Sequence, residues 1–111
     1  MNVPFLDLKA INARHAAELK AAAARVIDSG WYILGEEVKA FESDFAAWVG
    51  SPHCVGTSDG LSALILALRG WKELGLLKEG DAVAVPANTY VASVLAITEN
   101  RLRPVLVEIG R

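Results

Sequence analysis

The sequence predicts an α/β fold in which two N-terminal helices precede a β-α-β-α-β series with parallel strands and an incomplete sheet. Up to Gly50 the apolar residues recur at helical spacing, and after Gly50 three short aliphatic runs alternate with helical stretches. Strands joined by single helices pair in parallel through crossover connections. We therefore expect residues 1–50 to form a helical segment with an aromatic loop, and residues 51–111 to form the first part of an α/β domain.

The two predicted helices cover residues 9–29 and 36–49. In both, apolar residues fall on one face at intervals of three or four, the pattern of an amphipathic helix. Gly30 and Gly50 follow directly and act as stop signals. The second helix also has acidic residues in its first turn, which suits the positive end of the helix dipole.

The predicted strands are the apolar runs at residues 53–57, 82–86 and 104–108. Helices are expected from Gly60 onwards and over residues 89–99. The strands are almost uninterrupted aliphatic runs, as in parallel sheets that are covered on both faces. We therefore expect all three strands to be buried on both sides.

Composition excludes several classes of protein. The net charge is −2 and no block of like charges occurs, so a nucleic-acid-binding surface is not expected. The single cysteine, Cys54, cannot form an internal disulfide, which favours a reducing, cytoplasmic location. No uncharged stretch reaches the ~20 residues that a membrane span requires. The hydrophobic fraction of 53% has two open explanations: faces that bind a partner, or alanine-rich helices.

A short aromatic segment lies between the two helices. It reads Gly30-Trp31-Tyr32-Ile33-Leu34-Gly35, and we call residues 30–35 the aromatic turn. One interpretation is a buried, strand-like linker with a glycine at each end to allow sharp bends. The other is a surface that takes part in a binding site or an interface, since two adjacent large aromatic residues are not needed merely to connect helices.

In open α/β sheets, ligands bind beyond the carboxyl ends of the strands, and two polar segments are expected there. The first, residues 56–62, is small and polar and leads directly into a helix, so its backbone N–H groups could bind a phosphate. It matches neither a Walker loop nor the dinucleotide fingerprint. The alternative is that Ser58 or Asp59 serves only as the N-cap of that helix.

The second segment, residues 86–93, contains Tyr90 at a junction between strand and helix. An aromatic ring at this position can lie against a planar ligand. Alternatively, Tyr90 covers the core while Asn88 or Thr89 caps the following helix.

Metal ligation is not expected. His53 and Cys54 are adjacent, but no further cysteine or suitably spaced histidine completes a ligand set. Cys54 in an apolar run is better explained as a small core residue, and His15 as a surface residue.

Together these segments resemble the DegT/DnrJ/EryC1/StrS family of sugar aminotransferases, over almost the whole chain from Val3 to Glu108. Each motif is short, but they occur in the order and spacing of the family. The matching motifs are Val3-Pro4-Phe5-Leu6-Asp7-Leu8, Ser29 with the aromatic turn, Phe41 with Phe45, Gly56-Thr57-Ser58-Asp59-Gly60-Leu61-Ser62-Ala63-Leu64, Gly80-Asp81, Val85-Pro86 and Thr89-Tyr90-Val91-Ala92-Ser93.

The resemblance implies the N-terminal part of a fold-type I transferase, with residues 51–111 opening its large domain, which binds pyridoxal 5′-phosphate. It implies that Gly60 and Leu61 give backbone amides to the cofactor phosphate, with Ser58 beside them. Tyr90 matches the aromatic residue that stacks on the pyridine ring.

On the substrate side, the resemblance assigns Trp31 and Tyr32 to a segment near the sugar-nucleotide site and the dimer interface. Asn88, which can hydrogen-bond either a ligand or the backbone, is a further candidate for substrate contact. The Gly60-Leu61 pair and the run from Pro86 to Tyr90 are similar to the branch that acts on dTDP-3-keto-6-deoxyhexoses. Ser62 departs from the acidic residue that relatives often have.

The implied reaction is transamination of a nucleotide-linked keto-deoxysugar, usually with glutamate as amino donor, by a homodimer in glycan or O-antigen biosynthesis. The family's Schiff-base lysine comes after position 111, so no catalytic residue is expected in this chain, which should be inactive alone. Two other interpretations are a non-catalytic association module and a small phosphate-binding domain similar to a Rossmann fold.

Overall fold

The computed structural model describes residues 5–110, so the motif residues Val3 and Pro4 lie outside the described residues. The chain divides into two compact units, and the boundary falls between Gly56 and Thr57. The predicted domain assignment, residues 1–50 and 51–111, refers to the domains of the whole family fold and stays a prediction.

The first unit is helical, as predicted, but it contains three helices. They are α1 (Leu8–Ala13), α2 (Ala16–Ser29) and α3 (Glu36–Val49). The prediction of one continuous helix over residues 9–29 is wrong, because the chain leaves helical geometry at His15 (φ −120°, ψ 17°), which becomes the N-cap of α2. Between Ile11 and Leu19 no large apolar residue is available to hold a continuous helix against a partner, and packing supplies most helix stability.

The glycines that follow α2 and α3 end these helices as the sequence predicts. Gly30 (φ 66°) and Gly50 (φ 74°) both adopt the left-handed conformation. This region is disfavoured for residues with a Cβ, so glycine allows the chain to turn sharply after the last helical carbonyl groups.

Residues 53–57 do not form the predicted strand. The local donors and acceptors are used otherwise: the Gly56 N–H donates to Oε1 of Glu42 at 2.7 Å, and the Ser51 hydroxyl donates to the His53 carbonyl oxygen at 2.8 Å. A strand exists only where a neighbouring strand accepts and donates ladder bonds. The apolar run therefore correctly indicated an extended segment. It could not reveal that the hydrogen bonds of this segment are made with side chains and not with a neighbouring strand.

The second unit contains α4 (Gly60–Glu73), β1 (Ala82–Pro86), α5 (Val91–Glu99) and β2 (Arg103–Val107). The two strands pair in parallel, with Ala82 opposite Arg103 and Pro86 opposite Val107. This confirms the predicted parallel β-α-β arrangement, with shifts of one or two residues at the element ends. Within residues 5–110 the sheet has only these two strands, so the expectation of an incomplete sheet is confirmed.

A small core holds the second unit together. Its buried side chains come from α4, β1, α5 and the segment before β2; they are Leu68, Val85, Ala96, Ile97 and Leu102. Burial of such side chains stabilises a fold by roughly 1.5–3 kcal/mol for each large aliphatic residue.

The strands are not buried on both faces as expected. In β1 only Val85 is buried, and Leu106 in β2 is 61% exposed. The sheet is covered by α4 and α5, and residues 5–110 supply no further layer for its other face. The aliphatic pattern of the strands is typical of a sheet that is covered on both faces. None of the helices described for residues 5–110 is both long and apolar enough to cross a bilayer.

Asn100 is the one buried polar residue of the described chain, at 3% exposure. Its Nδ2 donates to the carbonyl oxygens of Ile65 in α4 (3.1 Å) and Ala96 in α5 (2.9 Å). Its backbone carbonyl oxygen accepts from Nζ of Lys72 in α4 at 2.7 Å. The bonds with Ile65 and Lys72 join α4 to the end of α5, and the bond to Ala96 holds the last turn of α5.

We expect Asn100→Ala to lower the free energy of unfolding by about 1–3 kcal/mol, because it removes two hydrogen bonds from a buried site. Urea denaturation of the purified chain measures this. Asn88→Ala is the matched control, since Asn88 is exposed, and should change the value by no more than ~0.5 kcal/mol. Equal losses in the two variants would show that Asn100 does not join the helices.

Candidate functional site

The N-terminal ends of α4 and α5 open into one cleft of about 760 Å³. Gly60 and Leu61 contribute the first turn of α4, and Tyr90 and Val91 contribute the start of α5. Three of the four residues that the sequence assigns to a cofactor therefore line the same space. The fourth, Ser58, lies just before the N-cap of α4.

The start of α4 leaves backbone donors accessible. The first N–H groups of a helix have no intrahelical acceptor, and they carry the positive end of the helix dipole. Asp59 is the N-cap, and its Oδ1 accepts from the Ser62 N–H at 2.8 Å. A Cβ added at Gly60 would meet nothing within 4 Å, so the backbone there can be approached closely from the open side.

The Asp59 carboxylate is the main negative charge at this helix end. The Ser62 N–H bond lowers its pKa most, followed by hydrogen bonds from the hydroxyls of Ser58 and Ser62. Ser58 Oγ lies 3.0 Å from Asp59 Oδ2 and 3.0 Å from Ser62 Oγ. Asp59 is therefore ionised at neutral pH and acts as the N-cap, which is what the alternative interpretation of this turn predicted.

Tyr90 is 80% exposed and occupies the N-cap position of α5 without a side-chain capping bond. The alternative in which Tyr90 covers the core and Asn88 or Thr89 caps the helix is wrong. The Thr89 hydroxyl lies one residue too early to cap, and it pairs with Ser93 Oγ at 3.1 Å instead. The phenol ring is left accessible along the cleft.

Asn88 lies exposed in the turn after β1 and is not among the residues that line the cleft. Ser93 does line it, from the first turn of α5. The sequence offers one signal for Ser93, its position three residues after Tyr90, which places both at the start of the same helix.

The aromatic turn belongs to the first unit. Trp31 and Tyr32 are 56% and 65% exposed, which favours the surface interpretation over a buried linker. They line a separate cavity of about 190 Å³ together with Arg25 and Glu37.

Arg25 and Glu37 form a two-bond ion pair between α2 and α3. Arg25 Nε lies 2.6 Å from Glu37 Oε1, and Arg25 Nη2 lies 3.1 Å from Glu37 Oε2. The hydrogen bond with Arg25 lowers the pKa of Glu37, and the same contact raises the pKa of Arg25. The sequence does not predict this pair, because twelve residues separate its members and neither belongs to a motif.

No metal centre can be built from the residues described here: among them, no three histidine, cysteine or acidic side chains lie close enough together. Cys54 is half-buried and unbridged.

The family model for the DegT/DnrJ/EryC1/StrS aminotransferases matches residues 13–111. The chain belongs to this family. This confirms the resemblance inferred from the ordered motifs.

Relatives and solved structures agree with this assignment. The chain is 52% identical over 106 residues to a dTDP-3-amino-3,6-dideoxy-alpha-D-galactopyranose transaminase of Aneurinibacillus thermoaerophilus, covering 96% of this chain and 28% of that protein. It is 51% identical to S. venezuelae DesV, solved in complex with a ketimine intermediate, with a TM-score of 0.86 over 97% of this chain and 28% of DesV.

A more distant neighbour is the E. coli GDP-4-keto-6-deoxy-D-mannose-3-dehydratase, solved with bound hydrated PLP. It is 31% identical, with a TM-score of 0.75 over 82% of this chain and 24% of that one. The chain thus spans about 28% of the length of the curated relatives it matches. These neighbours confirm the predicted fold class, the N-terminal part of a fold-type I transferase.

We expect Asp59→Asn to keep the cap of α4 but remove the acid sensitivity that this carboxylate contributes. Its folded pKa is lowered, so its contribution is present above the unfolded pKa of about 3.9 and is lost as pH falls through the folded value. Asparagine caps helices as well as aspartate, so stability at neutral pH should change little. Urea midpoints measured from neutral to strongly acidic pH test this.

Asp44→Asn is the control, because Asp44 is an exposed aspartate within α3 and is not a helix N-cap. The assignment fails if Asp59→Asn and Asp44→Asn change the acid-dependent loss of stability equally.

Proposed function

We propose that this chain supplies the cofactor-phosphate half-site of a pyridoxal-phosphate-dependent aminotransferase. The observation that carries the proposal is the common cleft of Gly60, Leu61 and Tyr90, three residues from two helix starts. The amino group passes from a donor, glutamate by family analogy, to a nucleotide-linked keto-deoxysugar for glycan or O-antigen biosynthesis. Family membership favours this over the association module and the small Rossmann-like domain.

The residues of the cleft fit pyridoxal phosphate. The open approach to Gly60 and the positive end of the α4 dipole suit a phosphate, and the exposed Tyr90 ring suits a flat heteroaromatic group. The negative charge of the Asp59 carboxylate repels a phosphate. This charge is partly offset, because the carboxylate accepts hydrogen bonds from the Ser62 N–H and the Ser58 hydroxyl.

In this proposal the chain's residues bind and orient. The N–H groups of Gly60 and Leu61 hold the phosphate, with Ser58 close by, and Tyr90 covers one face of the ring and keeps water away from it. When bound, the cofactor supplies an electron sink for the charge that develops during amino transfer. No lysine lines the cleft, so we propose that the Schiff-base lysine lies in the part of the family fold that these 111 residues do not span, and that the 111 residues do not transaminate alone.

The second part of the proposal concerns the substrate. We propose that Trp31 and Tyr32 contact the sugar nucleotide near a homodimer interface, and that Asn88 contacts substrate from the turn after β1. Two relatives that share 52% identity with the chain are dTDP-sugar transaminases, which supports the branch that aminates dTDP-3-keto-6-deoxyhexoses at carbon 3. A cytoplasmic location stays a prediction based on the single unpaired cysteine.

We expect pyridoxal phosphate, titrated into the ¹⁵N-labelled chain, to shift the amide signals of Gly60 and Leu61 with millimolar affinity. Tyr90→Ala should weaken this binding about two- to tenfold, because a stacked aromatic ring contributes about 0.5–1.5 kcal/mol. Tyr90→Phe keeps the ring and should bind like the wild type.

Pyridoxal without phosphate serves as the ligand control and should leave the Gly60 and Leu61 signals in place. Shifts spread evenly over both units, or equal binding by Tyr90→Ala and the wild type, would refute the half-site.

A further inference from the structure

Tyr90 occupies a position where an aromatic residue does not stabilise a helix. It is the N-cap of α5 and makes no side-chain capping bond. Serine, threonine, aspartate and asparagine are favoured at an N-cap, because their side-chain oxygen accepts from an N–H of the first turn. The start of α4 follows this rule, since its N-cap Asp59 accepts from the Ser62 N–H. The start of α5 has an aromatic residue in place of such a cap.

A pair of hydroxyl groups spans Tyr90. Thr89 Oγ1, in the residue directly before it, lies 3.1 Å from Ser93 Oγ in the first turn of α5, and either hydroxyl can donate the bond. Thr89 and Ser93 are both half-buried. A hydrogen bond that is partly removed from bulk water is stronger than an exposed one. We call the bond between Thr89 Oγ1 and Ser93 Oγ the hydroxyl bridge.

The backbone is also bonded on both sides of Tyr90. The Ser93 N–H donates to the Tyr90 carbonyl oxygen at 3.1 Å, and the Thr89 N–H donates to the carbonyl oxygen of Pro86, the last residue of β1, at 3.2 Å. The chain is therefore held to the end of β1 before Tyr90 and to α5 after it. The hydroxyl bridge joins these two parts.

The Tyr90 ring has little packing of its own, since the residue is 80% exposed. The direction of such a ring is set by its χ1 rotamer, and the rotamers that are allowed depend on the backbone φ and ψ. Tyr90 has a φ of −64° and a ψ of 141°, an extended conformation directly before a helix. The bonds that hold this backbone conformation therefore also determine where the ring points.

We propose that Thr89 and Ser93 are positioning residues: the hydroxyl bridge replaces the missing N-cap and fixes the backbone of Tyr90, so that its ring lies where the cofactor ring binds. Sequences that break a local rule commonly do so at functional sites. Ser93 lines the cleft, which places the bridge beside the ligand. The inference rests on the proposed function for the identity of the ligand, whereas the bridge rests on these contacts alone.

The first experiment tests the bridge without any ligand. Thr89→Val keeps the shape of the side chain but removes the hydroxyl, so amide hydrogen exchange at Ser93 should accelerate about two- to tenfold, the effect of one lost hydrogen bond. Thr98→Val is the matched control. It removes a hydroxyl from the last turn of the same helix, where Thr98 Oγ1 donates to the Leu95 carbonyl oxygen at 3.0 Å, and it should leave exchange at Ser93 unchanged. Unchanged exchange at Ser93 in Thr89→Val overturns the bridge.

The second experiment tests whether the bridge acts through the Tyr90 ring, with pyridoxal phosphate as the probe. Thr89→Val and Ser93→Ala should each weaken binding about two- to fivefold, and no more than Tyr90→Ala does. The double variant of Thr89 and Ser93 should bind like either single variant, because both remove the same bond. Thr89→Ser keeps a hydroxyl and should rescue binding, and Thr98→Val should bind like the wild type.

The decisive comparison uses the Tyr90→Ala background. There, Thr89→Val should cause no further loss of binding, because no ring is left to position. A further loss would mean that the hydroxyls contact the ligand themselves or only support the helix, and either result overturns the positioning role. Wild-type binding by Thr89→Val, in a chain that Tyr90→Ala weakens, also overturns it and leaves the proposed function standing.

A failure of the proposed function gives a different result. If the wild-type chain does not bind pyridoxal phosphate, or if Tyr90→Ala binds as the wild type does, the half-site fails and the positioning role fails with it. Hydrogen exchange at Ser93 still decides whether the bridge holds the start of α5.

Discussion

The second unit depends on the Asn100 carboxamide. Its Nδ2 donates to the backbone carbonyl oxygens of Ile65 in α4 and Ala96 in α5, while Lys72 Nζ donates to the backbone carbonyl oxygen of Asn100. These bonds fix the C-terminal part of α5 against α4, and the aliphatic core holds the same two helices over β1. With the helices fixed at one end, their N-terminal ends open side by side into the cleft. A buried carboxamide that satisfies backbone carbonyls thereby joins the two helices whose first residues line the cleft.

Much of the second unit could be predicted from the sequence because its elements are decided locally. Helical spacing found α4 and α5, and aliphatic runs found β1 and β2 within one or two residues. Two predictions failed because they depended on partners distant in sequence. The helix over residues 9–29 breaks where no apolar residue packs, and residues 53–57 lack a neighbouring strand, since Glu42 binds the Gly56 N–H.

In the candidate site, too, local features could be predicted from the sequence and side-chain contacts could not. A helix start marks residues 56–62 and a strand-end turn marks Tyr90 as candidate ligand positions, while the cofactor roles of Gly60, Leu61 and Tyr90 are implied by the resemblance. The sequence could not reveal which polar groups are already occupied. The indole of Trp31 is bonded within its own turn, Asp59 caps α4, and Arg25 pairs with Glu37 across two helices. Each of these contacts changes what a residue can offer a ligand, and each depends on side-chain geometry.

The central claim is that the cleft between the starts of α4 and α5 binds the pyridine ring of the cofactor against Tyr90. Transferred nuclear Overhauser effects between pyridoxal phosphate and the chain test it most directly, because they report which protons lie close to the bound ring. The account predicts cross-peaks from the ring methyl and ring proton to the aromatic protons of Tyr90. Cross-peaks to the exposed rings of Tyr32 or Trp48 with none to Tyr90 would contradict it.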